Sequence, residues 1–142
     1  MKIVAFLQNQ WFKDPERHKR FAELHPELRE DLIERFLFAG CKTGKVLKAV
    51  FGEDRCREIV WEETSREIGG HSGSIFPPNH IHINAVCLKH NPDVILAFGK
   101  QAAEALKFRY GFEFLICGPH PTARQDGTLN LLRFMRKRLD YY

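Results

Sequence analysis

No stretch of the 142-residue chain approaches the ~20 consecutive apolar residues that a membrane-spanning helix needs. The opening run from Ile3 to Leu7 is too short for the core of a signal peptide and no small-residue cleavage site follows it, so a cytoplasmic protein is expected. A Cys-x-x-Cys pair is also lacking. The four cysteines, Cys41, Cys56, Cys87 and Cys117, stand far apart, which speaks against a zinc ribbon or a dithiol redox motif and predicts reduced, mostly buried thiols. Internal repeats, low-complexity tracts and linkers are missing, and the length suits one domain over residues 1–142. Charge of neither sign dominates: 22 Lys and Arg against 18 Asp and Glu leave a net charge of +4, weak evidence by itself for a polyanionic partner.

What is present alternates between strand-like and helix-like segments. Lys2 to Leu7 reads as a buried strand, followed by a loop over Gln8 to Phe12. Asp14-Pro15 opens a helix, with Asp as cap and Pro at its first position, and Pro26 breaks it. A helix from Glu27 to Phe36 and another from Gly44 to Phe51, capped by Thr43 and ended by Gly52, come next. Glu58 to Glu62 is strand-like. The irregular stretch TSREIGGHSGSIFPPN follows, then a helix from Asn79 to His90 stopped by Asn91-Pro92. Asp93 to Phe98 and Glu113 to Cys117 read as strands, Lys100 to Phe108 and Gly127 to Leu139 as helices. This alternation predicts an α/β three-layer sandwich: a central four-stranded, mostly parallel sheet flanked by helices. Ligands of such sheets bind beyond the strand carboxyl ends, where the segments after the first, second and fourth strands would meet.

Several local patterns invite a chemical reading. GCKTGK, Gly40 to Lys45, is not a nucleotide-binding P-loop, because only three residues separate its glycines and Val46 follows the lysine. Thr43, Gly44 and neighbouring amides at a helix start, with Lys42 or Lys45, could still hold one phosphate. His80 and His82 have no acidic or thiol companion at metal-ligand spacing; they are expected on the surface, and no metal is predicted. The basic clusters Lys13, Arg17, Lys19, Arg20 and Arg133, Arg136, Lys137, Arg138 read as solvated helix faces unless other features point to nucleic acid.

LQNQWF after the first strand, GPHPTAR after the last, and PDVILAFGKQAAEAL between them are such features. In this order the chain resembles the uracil-DNA glycosylase superfamily, in which a G-Q-D-P-Y-H or related loop follows the first strand and H-P-S/T follows the last. Between them the superfamily carries a unit of the form P-D-V-I-x-x-x-G-x-x-A-x-x-x-L, which Pro92 to Leu106 matches. FAGCKTGKVL, Phe38 to Leu47, is similar to a segment of the iron–sulfur members, with one residue inserted. The cluster cysteines of those members have no counterpart, so no iron–sulfur cluster and no other cofactor is expected.

The resemblance implies a monofunctional DNA glycosylase, acting as a monomer on duplex or single-stranded DNA, with a role in base excision repair or in defence against viruses with modified DNA. Asn9 takes the place of the water-orienting residue. His120 takes that of the histidine donating to the base O2 as charge develops there, held between Pro119 and Pro121. Gln8, Trp11 and Phe38 would line the base pocket, with Phe36 as the alternative stacking ring. Lys42, Thr43, Lys45, Ser72, Ser74 and Thr122 would meet phosphate, and Arg124 would enter the duplex or pair with phosphate. Two departures stand out: Gln10 and Trp11 replace Pro and Tyr, and Glu62 stands where the superfamily reads the base with Asn. An ionised Glu only accepts hydrogen bonds, which favours an exocyclic amine and points to a modified, cytosine-type base; plain uracil or mismatch excision, or a catalytically inactive DNA-binding module of the same fold, are the alternatives.

Overall fold

Four short apolar runs set the frame of the computed structural model, which describes residues 1–9, 14–28, 32–71, 73–107 and 113–142. The strands β1 (Ile3–Leu7), β2 (Ile59–Glu63), β3 (Val94–Phe98) and β4 (Leu115–Gly118) pair in the order β2-β1-β3-β4, and every pairing is parallel. The inner strands β1 and β3 are buried at all five residues, as expected where helices cover both faces of a parallel sheet. The edge strand β2 alternates between buried and half-buried positions.

The helices divide between the two faces. Ile3, Ala5, Leu7, Trp61, Leu96 and Phe98 share a core with α2 (Leu32–Leu37), α3 (Lys42–Phe51) and α7 (Thr128–Asp140). Val4, Phe6, Ile95 and Ala97 pack against α5 (His80–His90) and α6 (Lys100–Lys107) on the other side. This is the three-layer α/β sandwich expected from the sequence, with the sheet wholly parallel. The first helix, α1 (Pro15–Leu24), starts as its sequence dictates: the Asp14 side chain accepts from Arg17 N–H and proline occupies the first turn. Its buried His18 meets Phe36 edge-on at 4.5 Å, fixing α1 against α2.

Local differences from the sequence expectation have physical causes. Pro26–Leu28 forms a single 3-10 turn, and an α-helix is described over Leu32–Leu37. Helix α3 begins one turn-position before Thr43: Cys41 is its cap residue and makes no side-chain capping bond, so Thr43 lies inside the first turn. A short helix missing from the sequence reading, α4 (Glu53–Glu58), carries Glu53 and Asp54 in its first turn and Arg55 and Arg57 in its last, the charge order that suits a helix dipole. The second strand extends to Glu63, one residue beyond its expected end.

Close approach explains two glycines. A Cβ on Gly44 would lie 1.8 Å from the Leu37 carbonyl oxygen, so Gly44 lets α3 rest directly on the end of α2. A Cβ on Gly118, the last residue of β4, would lie 1.9 Å from Met135 Sδ on α7. Gly118→Ala therefore forces the Met135 side chain to repack against β4 and is expected to cost about 1–3 kcal/mol, the usual range for overpacking a filled core. Urea denaturation of the wild type and G118A checks this, and equal midpoints would refute the close packing of β4 on α7.

Candidate active site at the carboxyl edge of the sheet

Because all four strands run the same way, their carboxyl ends and the loops that follow share one edge. Thr64, fully buried, organises that edge. Its N–H donates to Leu7 O (2.9 Å), its hydroxyl to Gln8 O (2.9 Å), and its carbonyl accepts from Asn79 N–H (2.7 Å) at the start of α5. Ser65 N–H adds a second bond to Gln8 O at 3.1 Å. The loop 64–79 is then held by two side-chain amides from neighbouring strand ends: Asn9 Nδ2 donates to Ser74 O (3.1 Å) and Gln101 Nε2 to Phe76 O (2.9 Å). Gly69 lets the loop fold on itself, since a Cβ there would lie 2.1 Å from Ser74 Cβ.

On the far side of the edge, Ala123 N–H donates to His120 O at 3.0 Å, closing a four-residue turn with buried Pro121 in its second position, where the fixed φ of proline is favoured. Thr122 N–H donates to His120 Nδ1 at 3.2 Å, and the Thr122 hydroxyl sits 3.0 Å from the same atom. A backbone N–H only donates, so Nδ1 is the acceptor and the ring proton sits on Nε2. Burial holds the His120 pKa below the usual histidine value. The side chain is thus a neutral, oriented Nε2–H donor at neutral pH. Gly99, with φ of +95°, brings the end of β3 beside it: a Cβ there would lie 3.6 Å from His120 Cβ.

The two glutamates that end β2 point to opposite faces, as neighbours on a strand must. Glu62 lies on the α5 side, where its Oε2 is 3.3 Å from His82 Nε2, at ion-pair distance but out of hydrogen-bond alignment. Arg66 Nε–H donates to His82 Nδ1 at 3.0 Å, so a neutral His82 carries its proton on Nε2, toward Glu62. His82 is only 7% exposed, which corrects the expectation of a surface residue; His80, two positions earlier on α5, is exposed. Glu63 takes the other face, that of Trp61, and is 7% exposed. Among the described residues its carboxyl has no hydrogen-bond or ion-pair partner, and one oxygen, Oε2, is fully occluded. Burial, and secondarily the neighbouring Glu62 charge, push its pKa well above the usual carboxylate range.

The stacking candidate Phe38 lies on Glu63's side of the sheet. Its ring meets Trp61 edge-on at 5.5 Å, with Lys48 Nζ 5.4 Å from its centroid. Phe36 is engaged with α1, 4.5 Å from His18 and 6.2 Å from Phe21. Strand alternation therefore brings Glu63, and not the expected Glu62, to the face that carries Phe38. Lys42 and Lys45 are exposed and Thr43 half-buried in the first turn of α3. Arg124 is exposed in the loop after His120, and Ser74 is half-buried. Gln10, Trp11 and Ser72 lie outside the described residues. An open depression of about 500 Å³ borders the far side of Phe38; Glu34, Glu53, Lys48 and Arg57 line it, and His120 and Asn9 do not.

Sequence reasoning missed Glu63, Thr64, His82 and Gln101. For Glu63 the signal was available: Ile59, Trp61 and Glu63 recur at the two-residue period of one strand face. The others are fixed by contacts between segments distant in the chain.

Glu63 yields a stability prediction. An acid whose pKa is raised by folding stays protonated in the folded chain after the unfolded chain has ionised. Stability is therefore lost as pH rises from the ordinary glutamate range through the raised folded value. Glu63→Gln removes that loss and keeps the side-chain volume, so it is expected to raise Tm at neutral and alkaline pH, with the gain vanishing below about pH 4. Thermal denaturation across pH checks this; a pH-independent difference would rule out titration of a buried Glu63. Comparison of the chain with protein-family models, curated proteins and solved structures gives no match, so the functional reading rests on the geometry of this site.

Proposed function

We propose that the protein is a monofunctional DNA glycosylase that extrudes a pyrimidine base from DNA and hydrolyses its N-glycosidic bond, leaving an abasic site. The observation that carries this reading is His120. Thr122 fixes its tautomer, burial keeps it neutral, and it stands at the edge where parallel sheets bind ligands. A neutral, preorganised N–H donor suits stabilisation of negative charge as it appears on a leaving base, and costs no reorganisation at that moment.

In the reaction, the bond between C1′ and the base nitrogen stretches and its electron pair leaves with the base. His120 Nε2–H donates to the base oxygen that gains charge. Water held by the Asn9 amide adds to C1′, and the proton it gives up neutralises the departing base. The bond from Asn9 Nδ2 to Ser74 O fixes the orientation of that amide. Phe38, Gln8 and Trp11 serve the base, while Ser72, Ser74, Thr122 and Arg124 meet the strand. The exposed Lys42 and Lys45, with Thr43 in the same uncapped helix start, supply donors for phosphate. The residues named need no cofactor for this chemistry. Glu62 is engaged by His82 at 3.3 Å and so does not select a cytosine-type base; the substrate is a pyrimidine.

Incubation with duplexes and single strands carrying uracil, mismatched thymine or modified cytosines, followed by detection of free base and abasic sites, tests the reading. Release from at least one substrate is expected, and His120→Ala is expected to lower it by ~10²-fold or more while DNA binding persists. DNA binding with no release from any substrate would instead identify a binding module of the same fold.

A further inference from the structure

The last helix has two faces of different character. Leu132, Met135 and Leu139 point into the core, while Asn130, Arg133, Phe134, Lys137 and Tyr141 recur three and four residues apart on the side turned away from it, and all five are exposed. Phe134 is 60% exposed and Tyr141 90%. The same helix concentrates the charge of the chain: Arg133, Arg136, Lys137 and Arg138 against Asp140 leave α7 with +3 of a total of +4. Asp140 is engaged by Arg55 and Arg136, and Arg136 also donates to Val50 O at the end of α3. Arg133 and Lys137, on either side of Phe134, form no ion pair among the described residues. Both ends of α7 are tied down. The Thr128 hydroxyl donates to Ala123 O at 3.2 Å in the loop after His120, and the Tyr142 hydroxyl donates to Glu113 O just before β4. The exposed stripe therefore starts beside the carboxyl edge and runs about 16 Å toward the opposite edge, where exposed Tyr142 and Phe114 add two more rings.

We infer that this outer stripe of α7 is a docking surface for a single strand of DNA, separate from the base-excising edge. Exposed rings scattered singly on a protein surface need no explanation. Here rings and cations alternate along one face, and that alternation selects the occupant. An anionic membrane calls for segregation, with apolar side chains on one side of a helix and cations on the other. The purely apolar side of α7 is already in the core, so that arrangement is closed to it. A single strand of nucleic acid alternates as the stripe does. Each nucleotide carries a phosphate, which Arg133 and Lys137 attract, and an unpaired base, whose face stacks on Phe134 or Tyr141. A duplex keeps its base faces stacked on one another and offers the rings nothing. Since every base has such a face, the surface takes any sequence. The choice of DNA over RNA, and that choice alone, rests on the glycosylase reading. A strand held on α7 is continuous with one at the carboxyl edge by way of exposed Arg124, in the loop that leads into the helix.

The test follows the fluorescence anisotropy of a labelled thymidine oligonucleotide of about 12 nucleotides, from about 50 to about 200 mM salt. The full-length K42A/K45A/R124A variant serves as parent, because it lacks the phosphate donors proposed for the carboxyl edge. Strand binding is expected to persist in that parent and to weaken at least ~10-fold when F134A/Y141A is added, as the loss of two stacked bases requires. F134Y/Y141F, which keeps both rings, is expected to bind within ~2-fold of the parent. R133Q/K137Q is expected to weaken binding and to flatten the log–log salt slope by about 1.4, ~0.7 for each cation. All four substituted side chains are exposed, so each variant is expected to keep the parent's Tm. The inference is overturned if the parent binds no strand, if F134A/Y141A binds as tightly as the parent, or if a duplex or an RNA of equal length binds more tightly. Preference for a glutamate- and leucine-rich peptide, or for phosphatidylserine vesicles, over the strand would overturn it too. None of these results touches the glycosylase reading, which is judged by base release. Binding on α7 without release of any base would keep the inference and overturn that reading.

Discussion

Side-chain alternation along one edge strand governs the chemistry of the whole site. β2 sends Ile59, Trp61 and Glu63 into the core shared with α2, α3 and α7, and Val60 and Glu62 toward α5. A slip of one residue would exchange the two carboxylates between a face lined by rings and a face that carries a histidine. The register is held at both ends: Ile59 pairs with Ile3 and Glu63 with Leu7, and beyond them Thr64 and Ser65 continue to bond the β1 chain through Leu7 O and Gln8 O. The same alternation reaches outward. Glu62 pins His82, His82 accepts from Arg66, and Arg66 opens the loop that crosses the carboxyl edge.

That loop ties the site together without regular structure. Asn9 and Gln101 come from the ends of adjacent strands, and each gives its amide N–H to a loop carbonyl. Both bonds satisfy loop acceptors that no sheet ladder could reach. The turn beyond β4 works differently: Pro121 and the Ala123-to-His120 bond fix the backbone, and Thr122 fixes the ring. In consequence the edge holds two titratable groups, His120 and Glu63, and burial drives each toward its neutral form.

Much of this was legible in the sequence. Apolar or β-prone runs marked all four strands, the last two bounded by Pro92, Gly99 and Gly118, and Asp14-Pro15, Gly52, Asn79 and Asn91 marked helix ends; Asn91 does adopt the left-handed conformation, with φ of 44°. The short helix α4 was not, because six residues are too few to show a periodicity and its packing comes from Cys56 and the end of α3. Thr43 looked like a cap by residue type, but the helix starts at Lys42 with Cys41 before it, and Gly44 in its first turn lies against Leu37 O. Telling which glutamate faces Phe38 needed the strand's last residue, and sequence patterns define ends less well than centres. The buried state of His82 depended on Glu62 and Arg66 meeting it from other segments, a contact no local pattern records.

The neutrality of Glu63 also follows from what the proposed reaction would demand. As the glycosidic bond breaks, negative charge collects on the base. Two like charges roughly 6 Å apart at an effective dielectric constant near 20 oppose each other by about 3 kcal/mol, so an ionised carboxylate held at such a separation from the base would work against that charge. That is roughly a hundredfold in rate, the same order as the gain expected from the His120 donor. A charged Glu63 at such a separation would thus offset the gain from His120. Desolvation without a donor to stabilise the anion is the simplest way to keep a glutamate protonated. A guanidinium beside Glu63, such as the one Arg66 presents to His82, would instead have favoured the ionised carboxylate.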